Sequence, residues 1–222
     1  MSLVNIEDKP TEVGKEVVKV AKTTFEEEIY LRALTGRLVG KALADLGLNK
    51  VAVVASRNII CSSIATATEA TFLTLSGGVT YHFLAEKGKE VELAERVKAF
   101  GPQVTVLQFG GETPIEETKE IFVETLRQFA EKDVPGAFVV HVRIFAAGGL
   151  SEALKDEKIR EYLGRKDLFV YTVGFDEGKV YVNRIILEGE ELKLEKLAEY
   201  QVTLEHADLL NRSLKDRSVT FA

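Results

Sequence analysis

The sequence predicts a three-layer α/β fold built on a mostly parallel mixed sheet, with an antiparallel edge hairpin and a C-terminal helix. Three observations carry this expectation. Short apolar runs, Val51–Ser56, Val79–Ala85, Val104–Phe109 and Ala137–Phe145, alternate with longer amphipathic stretches. Runs of this length suit strands buried on both faces, and their alternation with helices sets them parallel. Leu168–Phe175 and Lys179–Leu187 then flank Asp176–Glu177–Gly178, a hairpin signal that adds an antiparallel edge. Finally, Leu197, Tyr200, Leu204, Ala207, Asn211 and Leu214 recur at steps of three and four, which reads as a helix over 191–217 with a coiled-coil-like seam. The sheet is expected to have about six strands.

Taken in order, residues 1–23 form an N-terminal arm. Its start is a loose lead-in to Pro10, and Val17, Val18 and Val20 favour a strand over Glu16–Thr23, although Val13, Val17, Val20 and Ala21 also fit a helical face. Thr24 with Glu27 makes a capping box that opens a helix to about Leu46, with Leu31, Leu34, Leu38 and Ala42 as its buried stripe and Gly47 as its stop. Gly36 and Gly40 lie one turn apart within it, at a cost of about 1 kcal/mol each against Ala. They read as tight packing against the sheet, with close approach to a ligand as the alternative.

Strand Val51–Ser56 leads through Arg57 and Asn58 into a helix over Ile59–Leu75. After Val79–Ala85 come the helix Glu90–Phe100, the strand Val104–Phe109 and the helix Pro114–Lys132, which Thr113 and Glu116 cap. After Ala137–Phe145 a helix covers Ser151–Gly164, and the hairpin follows. Nothing reads as a linker, repeat or low-complexity tract. Residues 1–222 therefore read as one α/β domain, with 1–23 as an arm and 191–222 as the C-terminal helix and tail.

Composition narrows the function classes. A net charge of −6 argues against an extended nucleic-acid surface, which needs a clustered excess of Lys and Arg. No apolar segment is read as reaching the roughly 18 to 20 residues of a membrane helix. Glu7, Asp8, Glu12 and Glu16 do not suit the apolar core of a signal peptide, so the expected location is the cytoplasm. The single Cys61 excludes an intramolecular disulfide and any multi-cysteine zinc site; no metal is expected and no cofactor is assigned. One Met with abundant Glu and Lys resembles a heat-adapted composition.

Polar residues collect where the proposed strands end, and a parallel sheet binds ligands outside the carboxyl ends of its strands. Ser56, Arg57, Asn58, Ser62 and Ser63 surround a helix N-terminus suited to an anion, with Arg57 adding a charge-assisted bond. The alternative is that the hydroxyls only cap and pack the helix. No GxGxxG or GxxxxGK[ST] occurs, so a dinucleotide or triphosphate cradle of those types is unsupported. Gln108, Gly110 and Gly111 follow the third run, where the glycines allow close approach to the backbone.

His141 and Arg143 are expected to share one face of the fourth run. Proton transfer is assigned to His82, His141 or Glu112, and Cys61 is a nucleophile candidate at a helix start, weighed against a small buried hydrophobe. The expected function is a cytosolic metabolic enzyme acting on a small anionic metabolite by metal-independent acid/base chemistry. The alternative is a non-catalytic ligand-binding or assembly subunit that forms a homo-oligomer through its C-terminal helix.

Overall fold

The computed structural model describes residues 22–174, 177–188 and 191–215. The expected N-terminal strand over Glu16–Thr23 falls almost wholly outside these residues, as does the tail Ser218–Ala222. Helix α1 spans Phe25–Asp45, and its capping box forms: Glu27 N donates to Thr24 Oγ1 while Thr24 N donates to the Glu27 carboxylate. Next come β1 (Lys50–Ser56), α2 (Ile59–Ser76), β2 (Val79–Ala85), α3 (Glu90–Phe100), β3 (Val104–Gln108) and α4 (Ile115–Lys132). The second half holds β4 (Ala137–Val140), α5 (Val142–Ala146), α6 (Gly149–Ala153), α7 (Glu157–Leu163), β5 (Leu168–Gly174), β6 (Lys179–Glu188), β7 (Glu191–Gln201) and α8 (Leu204–Lys215).

The sheet runs β2-β1-β3-β4-β5-β6-β7. β2, β1, β3, β4 and β5 pair in parallel, and β6 and β7 add antiparallel. Its two faces bury separate cores. Val51, Val53, Ala55, Val104 and Val106 face Leu31, Val39 and Leu43 of α1, Ile64 and Phe72 of α2, and Leu209 and Leu210 of α8. Ala52, Val54, Leu107 and Val140 face α3, α4, α6 and α7 through Leu93, Phe122, Leu126 and Leu163. This is the predicted three-layer α/β architecture, with its antiparallel edge and C-terminal helix. The chain leaves β1 for β2 on one side and returns to β3 on the other, so the switch point lies between the carboxyl ends of β1 and β3.

Several elements differ from expectation, each for a physical reason. The described residues hold seven strands, because Glu191–Gln201 is not the start of a helix. Its Leu, Glu and Lys favour a helix intrinsically, but the free backbone edge of β6 recruits it, and Leu192 packs beside Leu187. The helical seam is thereby broken: Leu197 and Tyr200 lie on β7, and α8 buries Ala207, Leu209 and Leu210 on the chain's own core. The run Ala137–Phe145 stops as a strand at Val140 and turns into α5. The helix over Ser151–Gly164 divides at Asp156, whose carboxylate accepts from Lys158 N and Ile159 N to start α7. The capping box at Thr113 does not form, and Pro114 precedes α4 without a side-chain cap.

Gly36 and Gly40 are packing glycines, against α2 rather than the sheet. A Cβ would stand 2.5 Å from Ile64 O at Gly36 and 2.4 Å from Thr68 O at Gly40, so only hydrogen lets α1 and α2 approach this closely. α2 corrects a further expectation. Among the described residues it is the one helix long and apolar enough to cross a membrane by length and composition. Ile60, Ile64, Ala65 and Phe72 pack its inner face into the core.

Candidate functional site

The carboxyl ends of β1, β3 and β4 bring together Ser56, Asn58, Cys61, Gln108, Gly110, Gly111, His141 and Arg143. Asn58 organises them. Its side-chain oxygen accepts from Cys61 N at 2.8 Å, which caps α2, while its amide nitrogen donates to Gly110 O at 3.3 Å. The strand-to-helix turn of β1 is thus tied to the glycine turn after β3. Gly110 and Gly111 take φ of +149° and +78°, a region that L side chains avoid. A Cβ on Gly110 would stand 3.3 Å from Arg143 Cδ, and one on Gly111 would stand 2.5 Å from Asn58 Oδ1. The glycine turn therefore lies directly against the polar cluster.

His141 does not share a strand face with Arg143. It is the N-cap of α5, and its Nδ1 accepts from Arg143 N at 3.1 Å. Accepting there leaves Nε2 to carry the proton of the neutral ring. Burial pushes the His141 pKa well below the ordinary range, and the charges of Arg32 and Arg143 push it the same way. The ring packs edge-on to Tyr171 at 5.6 Å. Burial raises the thiol pKa of Cys61 and the phenol pKa of Tyr171. These groups are held neutral by desolvation.

The remaining candidates lie elsewhere. Arg57 points out to solvent and pairs with Glu86 at 3.1 Å. His82 sits on the outermost strand, with Nδ1 3.3 Å from Glu69. Ser63 Oγ donates back to Ile59 O. Glu112 folds over the start of α2, where Ile59 N and Ile60 N donate to its Oε1 at 2.9 and 3.3 Å. With Ser62 N donating to Asn58 O, the helix start is filled by the chain's own carboxylate and amide. An added anion would meet Glu112 first, so the expected anion cradle is already occupied.

Sequence reasoning missed the roof of the cluster. On α1, Arg32 is buried and paired with buried Glu28 at 2.8 Å, and Glu28 also accepts from Thr23 Oγ1. Thr35 meets His206 Nε2 of α8 at 3.1 Å. The signal was present: Glu28 and Arg32 stand four apart on the helix face that also carries Leu31 and Thr35, where charges should not lie unless paired. Beneath this roof, Gln108 on β3 is fully buried, and neither its Oε1 nor its Nε2 meets a partner among the described residues. By strand alternation Gln108 projects to the face of Val104 and Val106, under α1. No group of three or more His, Cys, Asp or Glu suited to a metal occurs among the described residues.

A protein-family model described as "Uncharacterized protein" matches residues 28–209. The chain belongs to that family. A relative described in the same words, from Aquifex aeolicus (strain VF5), is 27% identical over 146 residues, which is 65% of this chain and 67% of the relative.

Solved structures share the architecture distantly. A solute-binding protein of an ABC transporter from Rhodopseudomonas palustris BisB5, in complex with 3,4-dihydroxybenzoic acid, aligns with a TM-score of 0.49 at 12% identity, over 78% of this chain and 65% of that one. An R. palustris solute-binding protein with 4-hydroxybenzoate gives 0.48 at 12%, with the same coverage. Full-length LpoA from Haemophilus influenzae gives 0.45 at 9%, over 69% of this chain and 25% of that one. The chain spans between a quarter and two thirds of the length of these structures.

The expectation of a cytosolic metabolic enzyme is corrected. These neighbours are described as solute-binding proteins and LpoA, not as metabolic enzymes. Within the chain itself, the groups assigned to proton transfer are scattered or spent: His82 is on the far strand, Glu112 caps α2 and His141 caps α5. Cys61 is buried with a raised pKa, the opposite of an activated nucleophile.

Proposed function

We propose that this chain is a non-catalytic module that binds a small molecule at the switch point between β1 and β3. One observation carries the reading, the buried Gln108 with neither half of its carboxamide hydrogen-bonded among the described residues. Leaving a buried polar group unpaired costs roughly 1–3 kcal/mol, a cost that a ligand bound at the end of β3 would remove. A ligand offering both a donor and an acceptor would satisfy Gln108. The Gly110–Gly111 turn lies across the cluster, so entry requires that turn to lift, and glycine φ freedom permits it. Open α/β sheets bind ligands at such switch points, which supports the location.

The test compares the chain with its Gln108→Leu variant in thermal-shift titrations against hydroxybenzoates, amino acids and sugars. A ligand at 100 times its Kd stabilises the chain by about 2.7 kcal/mol, and Gln108→Leu abolishes that gain. Without ligand, Gln108→Leu is as stable as the parent or about 1 kcal/mol more so, because two unpaired polar atoms leave the core. A ligand that stabilises both proteins equally would remove Gln108 from the site.

A further inference from the structure

We propose that the outer edge of β2 is a docking surface for a second copy of this chain, which pairs its own β2 antiparallel across a two-fold axis at His82. The backbone sets the register. Among the described residues β2 is bonded only to β1, and Val79 N donates to Asn49 O at the start of that pairing. Backbone groups alternate sides along a strand, so those of Val79, Tyr81, Phe83 and Ala85 address β1 while those of Thr80, His82 and Leu84 point outward. β2 has seven residues and His82 is its midpoint. Antiparallel self-pairing about His82 therefore sets Thr80 against the partner's Leu84 and His82 against the partner's His82, closing about six backbone hydrogen bonds.

The side chains suit this occupant. Val79–Ala85 holds no Lys, Arg, Asp or Glu, the residues that usually guard a free edge. Val79, Tyr81 and Leu84 are 54, 48 and 43% exposed, high for apolar residues on a strand. The two-fold sets Tyr81 against the partner's Phe83. Phe83 is buried beneath Tyr81, 4.7 Å away within one chain, so the half-exposed Tyr81 ring is the one each copy brings to the joint.

Charge favours a second copy over a foreign strand. Glu86, Lys89, Glu92 and Arg96 line the groove along this edge with His82 and Leu84, and within one chain Lys89 pairs with Glu86 at 3.0 Å and Arg96 more loosely with Glu92 at 3.8 Å. A two-fold reverses α3 in the second copy, so each Glu92 faces the partner's Arg96 and each Arg96 the partner's Glu92, the reciprocity of an isologous contact. An acidic or a basic peptide would satisfy one of these and oppose the other.

The experiment is sedimentation equilibrium of the full chain, read beside its melting temperature. The expected mass is twice 24.6 kDa. Leu84→Lys, Glu92→Arg and Arg96→Glu each weaken association by about tenfold or more at an unchanged melting temperature of the dissociated chain, and Glu92→Arg with Arg96→Glu restores it. Leu194→Lys on the opposite edge leaves the mass unaltered. A full chain at 24.6 kDa throughout, or single variants that associate like the parent, would overturn the proposal. So would a monomer that associates only once residues 1–21 are removed, because the edge would then belong to that segment.

Discussion

β7 and β2 both end the sheet, and they end it by opposite means. β7 displays Glu191, Lys193, Glu195, Lys196 and Glu199, with Lys179 and Lys196 bonded to Glu199 at 2.7 and 3.3 Å. A register shift at Val182/Asn183 bulges it, and α8 then returns to the core. Charge and bulge both discourage strand addition. β2 has neither, only the neutral run from Val79 to Ala85 with apolar side chains in solvent. The lesson is that an edge is free in two senses. β7 is free because its side chains reject a neighbour, and β2 because none of the described residues pairs with its outer side.

The flanks behind these edges also differ, and substitutions there sharpen the contrast from the largest effect to the smallest. Behind β2, α1 and α2 touch through glycine, with no room for a Cβ at either contact. Gly36→Ala with Gly40→Ala should destabilise the chain by roughly 4 kcal/mol in urea denaturation, as two overpacked contacts force the helices apart. A change below about 1 kcal/mol would mean that this flank yields, contrary to the close packing described.

After β7 the chain returns as α8 to α1, where it docks through Leu210, which is almost wholly buried. Leu210→Ala should cost about 3 kcal/mol in the same assay, by lost burial and the cavity left. An effect near zero would make α8 an appendage and return its apolar face to the role of an intersubunit seam.

The same helix carries a pH dependence. Burial lowers the pKa of His206 from 6.5 to about 4. The folded chain thus holds His206 neutral, while the unfolded chain takes up a proton below pH 6.5. Stability is therefore full above pH 6.5 and falls as the pH drops toward 4, by up to about 3 kcal/mol. His141 adds in the same direction. His206→Asn should flatten that part of the melting-temperature profile, and an unaltered slope would place the proton uptake elsewhere.

The smallest effect tests the edges themselves. Leu194→Lys on β7 should change stability by less than about 0.5 kcal/mol, because one more charge joins a strand already lined with them. A large loss there would show that the β7 edge is covered, and the contrast with β2 would fail.

Much of the candidate site was legible in local pattern. Ser56, Asn58, Cys61, Gln108, Gly110, Gly111 and His141 were marked because polar residues and glycines followed apolar runs, and parallel strands align such ends. What local pattern lacked was direction and partner. Arg57 follows the same run as Asn58, yet it turns outward to Glu86, while Asn58 turns inward to cap α2. Glu112 looked like a free loop carboxylate until the β1 and β3 turns met and gave it two backbone amides to bind. Arg32 and Thr35 carry no such local mark, because they lie on a helix far from any strand end in the sequence.

Hydrophobic period and punctuation by Gly and Pro are local properties, so the sequence by itself determined the alternation of helices and strands, the parallel core, the β5–β6 hairpin and the cap at Thr24. Strand order is not local. Only the assembled sheet decided that Val79–Ala85 would stand at its margin, that Glu191–Gln201 would join β6 instead of coiling, and that His141 would close a helix instead of continuing a strand. For Glu191–Gln201 the deciding partner was the open backbone edge of β6, and for His141 it was the amide of Arg143; the hydrogen bonds these offered outweighed the preference of the residues themselves.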